Sequence, residues 1–553
     1  MNRSVFKAVK FVFNLDRKKF FINYGLFTLE AVAFVIGIRA LQLVLEMINA
    51  YSIGSVGEKT IIFVFVAFIL LKISIYILRS FMGYYCEYYD IVLRKKVEKE
   101  MNKKNISPIN YENKDFLDLL SQAYIGKNSI VLVTNAYIDM IFMYGLNLLF
   151  LAIYLYTLSK TLIFVLIVIV ILQFLHNKFD RNIEKSLEES IKNTRRKKVY
   201  YSNLFFSKET SKEIHALDSS DFLLKKFFSV VEELSVQLRL FYKKLLLNDI
   251  RIGILKLSSF IMCFVIIFIS KSEITLAQYG VLFVTMNSIL SLVEEGFYTR
   301  IKSVNKFIPQ LDAYFKFLEF DDNNLNENFS DKIVFENVFF KYPNTEKYAL
   351  KNINVKIKKG QKIGVVGVNG SGKSTFSKLL LQLYKPTRGK ITSIKSSSVF
   401  QDFMKYELSS LDNVKISDYE KEVDEKGFLD IGYIDKSKLD YDTILSKRFS
   451  DENLSQGQWQ KLAILRGLHK SAEFLVFDEP TWAIDPLIEK EIFNFIYSQN
   501  SKGMLVITHR LSLIKGMDKI ILLDKGELVG FDTHENLLLN NLYYQKLWEA
   551  SSQ

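Results

Sequence analysis

Residues 361–380 read QKIGVVGVNGSGKSTFSKLL: an apolar strand, a glycine-rich turn and a helix, in that order. Gly367, Gly370, Gly372, Lys373 and Ser374 meet the pattern GxxxxGK[ST]. Glycines let backbone N–H groups curl around phosphate oxygens at a helix start, where the peptide dipoles favour negative charge. The expected cradle is Gly367, Asn369, Gly370, Ser371, Gly372, Lys373, Ser374 and Thr375. Lys373 adds a point charge for the β and γ phosphates, and Ser374 offers a hydroxyl to Mg²⁺. The chemistry is that of a nucleoside triphosphate, with ATP and Mg²⁺ as the expected ligands.

Two further groups suit the same reaction. The run EFLVFDEP ends an apolar strand in two adjacent carboxylates, Asp478 and Glu479. The first can hold Mg²⁺ through water, and the second can polarise a water for in-line displacement at phosphorus. A second apolar strand, residues 504–507, runs into Thr508, His509 and Arg510, and His509 can contact a γ-phosphate and position that water. The expected catalytic pair is Glu479 and His509.

With these marks in place the chain resembles the ATP-binding cassette (ABC) family, and Leu454-Ser455-Gln456-Gly457-Gln458 is similar to the family signature LSGGQ. The resemblance extends to an aromatic loop at Tyr342, a Q-loop at Gln401 and a D-loop at Asp485. It implies that Tyr342 stacks on adenine, that Gln401 joins Ser374 and Asp478 around Mg²⁺, and that Ser455, Gly457 and Gln458 close on the γ-phosphate held by another copy. Two positions depart from the family pattern: Gln456 stands where the signature has a glycine, and Trp482-Ala483-Ile484-Asp485 differs from the usual small-residue loop. Neither removes a catalytic group.

The N-terminal half has a different solvent. Hydrophobic residues make up 49% of the 553, and six prolines stand against 46 phenylalanines, which excludes disordered and collagen-like chains. A bilayer core about 30 Å thick takes about 20 apolar helical residues. Six stretches qualify, near residues 21–45, 60–81, 130–158, 161–175, 250–269 and 276–292. None contains proline, so straight continuous helices are expected.

Lys and Arg cluster in residues 1–19, after the second stretch and between the fourth and fifth, whereas the other connections carry almost none. The positive-inside rule then places both termini in the cytosol. Val5, Phe6, Val9 and Phe13 predict a short amphipathic helix on the inner leaflet. The net charge of +13 is explained by these flanks, and the run Arg195 to Lys198 reads as a solvated helix face rather than a nucleic-acid patch. Cys86 and Cys263 have no metal-binding or redox spacing.

The expected fold is an α-helical six-span transmembrane domain of ABC exporter type (residues 1–310), a linker (311–331) and an α/β P-loop ATPase domain with a helical subdomain (332–553). In the exporter architecture, segments 111–118 and 211–219 correspond to coupling helices. One polypeptide with one cassette must pair, either with itself, the simpler reading given the intact catalytic residues, or with a second half-transporter. The expected setting is a bacterial cytoplasmic membrane. Glu30, Arg39, Lys72, Asp139 and Lys256 lie at hydrophobic depth and are candidates to line a substrate path. The stretch 441–461 looks like cassettes of lantibiotic and bacteriocin exporters, which implies a peptide cargo; a multidrug or lipid exporter is the alternative.

Overall fold

The computed structural model describes residues 3–158, 193–269, 276–320, 329–423, 442–446, 454–480, 486–498 and 502–552, with a few helical positions between 163 and 191. The chain divides into two compact units. Unit one comprises residues 1–104 and 119–319; unit two comprises 105–118 and 320–553.

Unit one is helical. Helix α1 (Arg3–Leu15) turns at Asp16, whose side chain accepts a hydrogen bond from the Lys19 backbone N–H and so caps α2 (Arg17–Ser52). After α3 (Glu58–Asn102) come α4 (Lys114–Asp139), a π-helical turn (Met140–Gly145) and α5 (Leu146–Leu158). Further on are α6 (Lys208–Ala216), α7 (Ser220–Ile269), α8 (Leu276–Ser291), a second π turn (Leu292–Thr299) and α9 (Arg300–Glu319). Three helical stretches among the described residues, Arg17–Ser52, Glu58–Asn102 and Lys114–Thr157, are long and apolar enough to cross a membrane. The expected fifth and sixth spans fall in α7 and in α8 with its π turn; the fourth lies almost wholly outside the described residues.

Two sequence expectations need correction. Span three is continuous but not regular, because it contains the first π turn, and span six runs at its C-terminal end straight into the second. A widened turn carries one residue more than an α turn and shifts the side chains beyond it around the helix. The two wide turns pack on each other: a side chain at Gly296 would come within 2.2 Å of the Tyr144 ring. Helix α1, in turn, buries Val5, Ala8 and Val12 against protein, with Phe11 edge-on to Tyr314 and Phe315 of α9. Of its expected apolar face, Phe6 stays exposed.

Unit two holds two sheets. The smaller is antiparallel, in the order β2 (Leu350–Lys358), β1 (Lys332–Phe340), β4 (Arg388–Thr392). The larger has the order β5 (Ser396–Val399), β6 (Phe474–Asp478), β7 (Gly503–Ile507), β3 (Lys362–Val366), β8 (Lys519–Asp524), β9 (Glu527–Asp532). All its pairs are parallel except β8 with β9. Strands β6 and β7 are buried throughout, as parallel strands covered on both faces must be. Side chains of β3, β6, β7 and β8 alternate between two cores: Val365, Val476, Leu505 and Ile521 face one, and Val366, Phe477, Val506 and Leu522 face the other. Helix α10 (Lys373–Leu380) lies in the first core through Phe376 and Leu379, and α12 (Gln456–His469) in the second through Trp459, Leu462 and Ile464. Between them in sequence is the short α11 (Ser410–Lys415), and α13 (Pro486–Tyr497) follows β6.

Candidate active site

Topology brings the chemistry together. Strands β5, β6, β7 and β3 are neighbours running the same way, and they deliver from their carboxyl ends, in order, Gln401, Asp478-Glu479, Thr508-His509 and the loop that begins at Gly367. These ends are where an open α/β sheet binds ligands.

The loop is built for close backbone approach. Gly367, Gly370 and Gly372 all have positive φ, at 155°, 79° and 105°. A Cβ at Gly367 would lie 2.3 Å from the Leu523 carbonyl and 2.5 Å from Ser371 Oγ, so only glycine fits. Lys373 Nζ donates to the carbonyls of Gly367 (2.9 Å) and Val368 (3.2 Å), folding its charge back over the loop. Burial pushes the Lys373 ammonium below its ordinary pKa, against the pull of Glu479 and Asp478. Ser371 Oγ is buried without a hydrogen-bond partner, an unmet polar atom inside the cradle. These features fit a phosphate ligand. Asn369 is exposed at the loop tip.

The Ser374 hydroxyl lies beside Asp478, whose carboxyl is buried at the end of β6. Burial raises the Asp478 pKa, and the Ser374 contact opposes the rise. A hydroxyl and a carboxylate side by side at a phosphate loop are hard oxygen ligands, the donor set Mg²⁺ prefers. Gln401, the third expected ligand, is exposed in a turn just past β5.

Beyond Asp478, Glu479 takes a left-handed backbone, φ 48°, with its N–H donated to the Ile507 carbonyl at 3.0 Å. His509 Nε2 lies 2.8 Å from Glu479 Oε1, so the two expected catalytic residues are in direct contact. Tyr342 bonds through its hydroxyl to Thr375 Oγ1 (3.0 Å) and sits edge-on to Phe340 and Tyr384.

Ser455 is the N-cap of α12. Its hydroxyl accepts from the Gln458 N–H (3.3 Å) while Gln458 Oε1 accepts from the Ser455 N–H (2.8 Å), a capping box that fixes the first turn; Gly457 lies inside it. Asp485 lies outside the described residues.

Several partners were not foreseen. Gln460 Nε2 reaches the Glu479 carbonyl at 3.5 Å. Residues 105–118 belong to unit two: a 3₁₀ turn, Pro108–Glu112, ends with Glu112 accepting a hydrogen bond from the Tyr384 hydroxyl (3.0 Å), and Ser107 Oγ donates to the Leu383 carbonyl (3.2 Å). Segment 111–118, which the exporter resemblance marks as a coupling helix, falls within this stretch, while its anchoring at Tyr384 and Leu383 has no signal in the sequence. In unit one, Glu30 pairs with Arg79 (2.8 Å) and Asp139 with Arg300 (3.5 Å), giving two of the candidate intramembrane acids arginine partners. Arg39 donates to Gln42, and Lys72 lies over the Phe68 ring at 5.3 Å; the side chain of Lys256 lies outside the described residues.

Comparison with known proteins adds an independent line. The family model described as ABC transporter matches residues 350–482. The subtilin transport ATP-binding protein SpaT of Bacillus subtilis is 27% identical over an alignment covering 99% of this chain and 94% of the relative. The nisin transport ATP-binding protein NisT of Lactococcus lactis subsp. lactis is 35% identical over 38% of this chain and 39% of its own length. The solved structure of a bacterial Atm1-family ABC exporter with ATP bound shares the fold at TM-score 0.79 and 18% identity, over 97% of this chain and 99% of that one.

Proposed function

We propose, from the premise that this chain is an ABC transporter of exporter fold, a membrane protein whose cassette couples ATP hydrolysis to transport, that its cargo is a peptide of the lantibiotic or bacteriocin class and that two identical copies do the work. Similarity along nearly the whole length to a subtilin transport protein supports the peptide cargo, since it includes the helical unit that would touch it. The 2.8 Å contact between Glu479 and His509, beside the phosphate loop, carries the reaction.

Each residue then has a task. Lys373 exchanges the carbonyls of Gly367 and Val368 for phosphate oxygens, and the loop N–H groups surround them. Tyr342 offers its ring to adenine. Mg²⁺, when bound, neutralises charge on the phosphate oxygens, and Ser374, Asp478 and Gln401 are the residues that would hold it. Glu479 takes the proton from water as its oxygen bonds to the γ-phosphorus and the bond to the ADP oxygen breaks; His509 fixes the carboxylate. Ser455, Gly457 and Gln458 of the second copy close the site. Both termini lie on the cytosolic face, and the motion passes through residues 105–118.

The test uses the full-length protein in liposomes. We expect ATP-dependent uptake of a lantibiotic precursor peptide into inside-out vesicles, and loss of turnover by about 10²-fold or more in Glu479→Gln with nucleotide binding kept. Turnover that survives the substitution removes Glu479 from this role; ATPase stimulated by lipid or dye and indifferent to peptide removes the cargo.

A further inference from the structure

The position at which the signature departs from its family pattern is engaged with the rest of unit two. Gln456 is the first residue of α12 after its cap, and its Oε1 accepts a hydrogen bond from Lys405 Nζ. Lys405 stands four residues past Gln401, in a stretch without regular secondary structure. That stretch is tied to the same helix again: the Arg466 guanidinium donates to the Met404 carbonyl (3.1 Å), to the Asn413 carbonyl (2.9 Å) and to Asn413 Oδ1 (2.7 Å). On the other side, Gln460 lies four residues after Gln456, hence on the same helix face, and reaches the Glu479 carbonyl.

An ammonium at a helix N-terminus gains nothing from the peptide dipoles, which favour negative charge there. Helix stabilisation therefore does not account for Lys405; a tie between two segments does. A charge-assisted hydrogen bond to a glutamine is directional, and a glycine at 456 could not accept it.

We propose that Lys405 and Gln456 are a positioning pair: they hold the first turn of α12 to the segment after Gln401 and, through Gln460, set where Glu479 stands. The proposal rests on the reading of Glu479 as the residue that activates water. Any displacement of the segment after Gln401 would then reach both the signature turn and the proposed catalytic carboxylate of the same cassette.

A double-mutant cycle on the full-length protein in liposomes tests it. Lys405→Ala and Gln456→Gly should each lower kcat for ATP by about five- to tenfold, with KM for ATP changed less than about twofold. The double variant should be no slower than the slower single one, because both changes remove the same tie. Lys405→Arg, which keeps the charge and donor, should retain turnover. Multiplying effects in the double variant, unchanged kcat in Lys405→Ala, or a shift confined to KM overturns the pair. Glu479→Gln is the separate control: turnover surviving there overturns the parent reading, whereas turnover lost there alongside independent effects at 405 and 456 overturns the pair alone.

Discussion

Glu479 holds a conformation that a glutamate adopts only under constraint, with φ 48° and its N–H bound to β7. Such a residue costs about 1–3 kcal/mol and persists where its surroundings over-determine it. Here the gain is direction, since the turn carries the carboxylate to His509 while Asp478, one residue earlier, remains buried against Ser374. That burial has a pH consequence. The proposed metal binding needs the Asp478 carboxylate, whose burial holds its pKa above the ordinary value, so protonation would compete with Mg²⁺ at a higher pH than for a surface aspartate. We expect Mg²⁺-dependent nucleotide affinity to fall on acidification through that raised pKa, and titration calorimetry at stepped pH to show it. An affinity constant down to the range where free aspartate titrates would count against Asp478 as a ligand. The contiguous motifs made this site legible in the sequence, because each strand ends in its own chemical group. The contact of Gln460 with the Glu479 carbonyl was not, since nothing in local spacing says what a helix touches across a sheet.

At the scale of elements, the sequence showed apolar length and charge flanks, and these were enough for helices α2, α3 and the α4–α5 span. Regularity was another matter. The absence of proline predicted straight, continuous helices, and they are continuous, yet π turns stand at Met140–Gly145 and Leu292–Thr299, because what selects a wide turn is the neighbour it must fit. Gly296 is the piece that admits the Tyr144 ring, and the Asp139–Arg300 ion pair joins residues flanking the two turns. We expect Gly296→Leu to force the ring aside and destabilise unit one by about 1–3 kcal/mol, read as a lower melting midpoint in detergent. A second close approach lies between α4 and α9, where a Cβ at Gly126 would stand 2.1 Å from the Gln310 carbonyl, so Gly126→Val should act in the same direction. Unchanged melting in both would mean these helices give way more easily than their packing implies.

For the whole molecule, the division by sequence at 310 and 332 treats the chain as two consecutive pieces, whereas its second compact unit is discontinuous. Residues 105–118 leave the helical half and contribute Ile109 to the apolar cluster of Phe340, Leu350 and Leu380. Glu112 and Ser107 tie the same segment down at Tyr384 and Leu383. Removing the Glu112 partner by Tyr384→Phe should leave ATP turnover within about twofold and lower peptide uptake several-fold, measured side by side in the same vesicles. Equal losses of both would assign the contact to folding. The arrangement also bears on how the gene can be cut. A fragment beginning at Phe320 would be born with an oily socket facing water and its plug left behind on another polypeptide. It should come out of the cell clumped or soft to proteases, and a synthetic strip copying Asn105 to Asp118, added from outside, should firm it up.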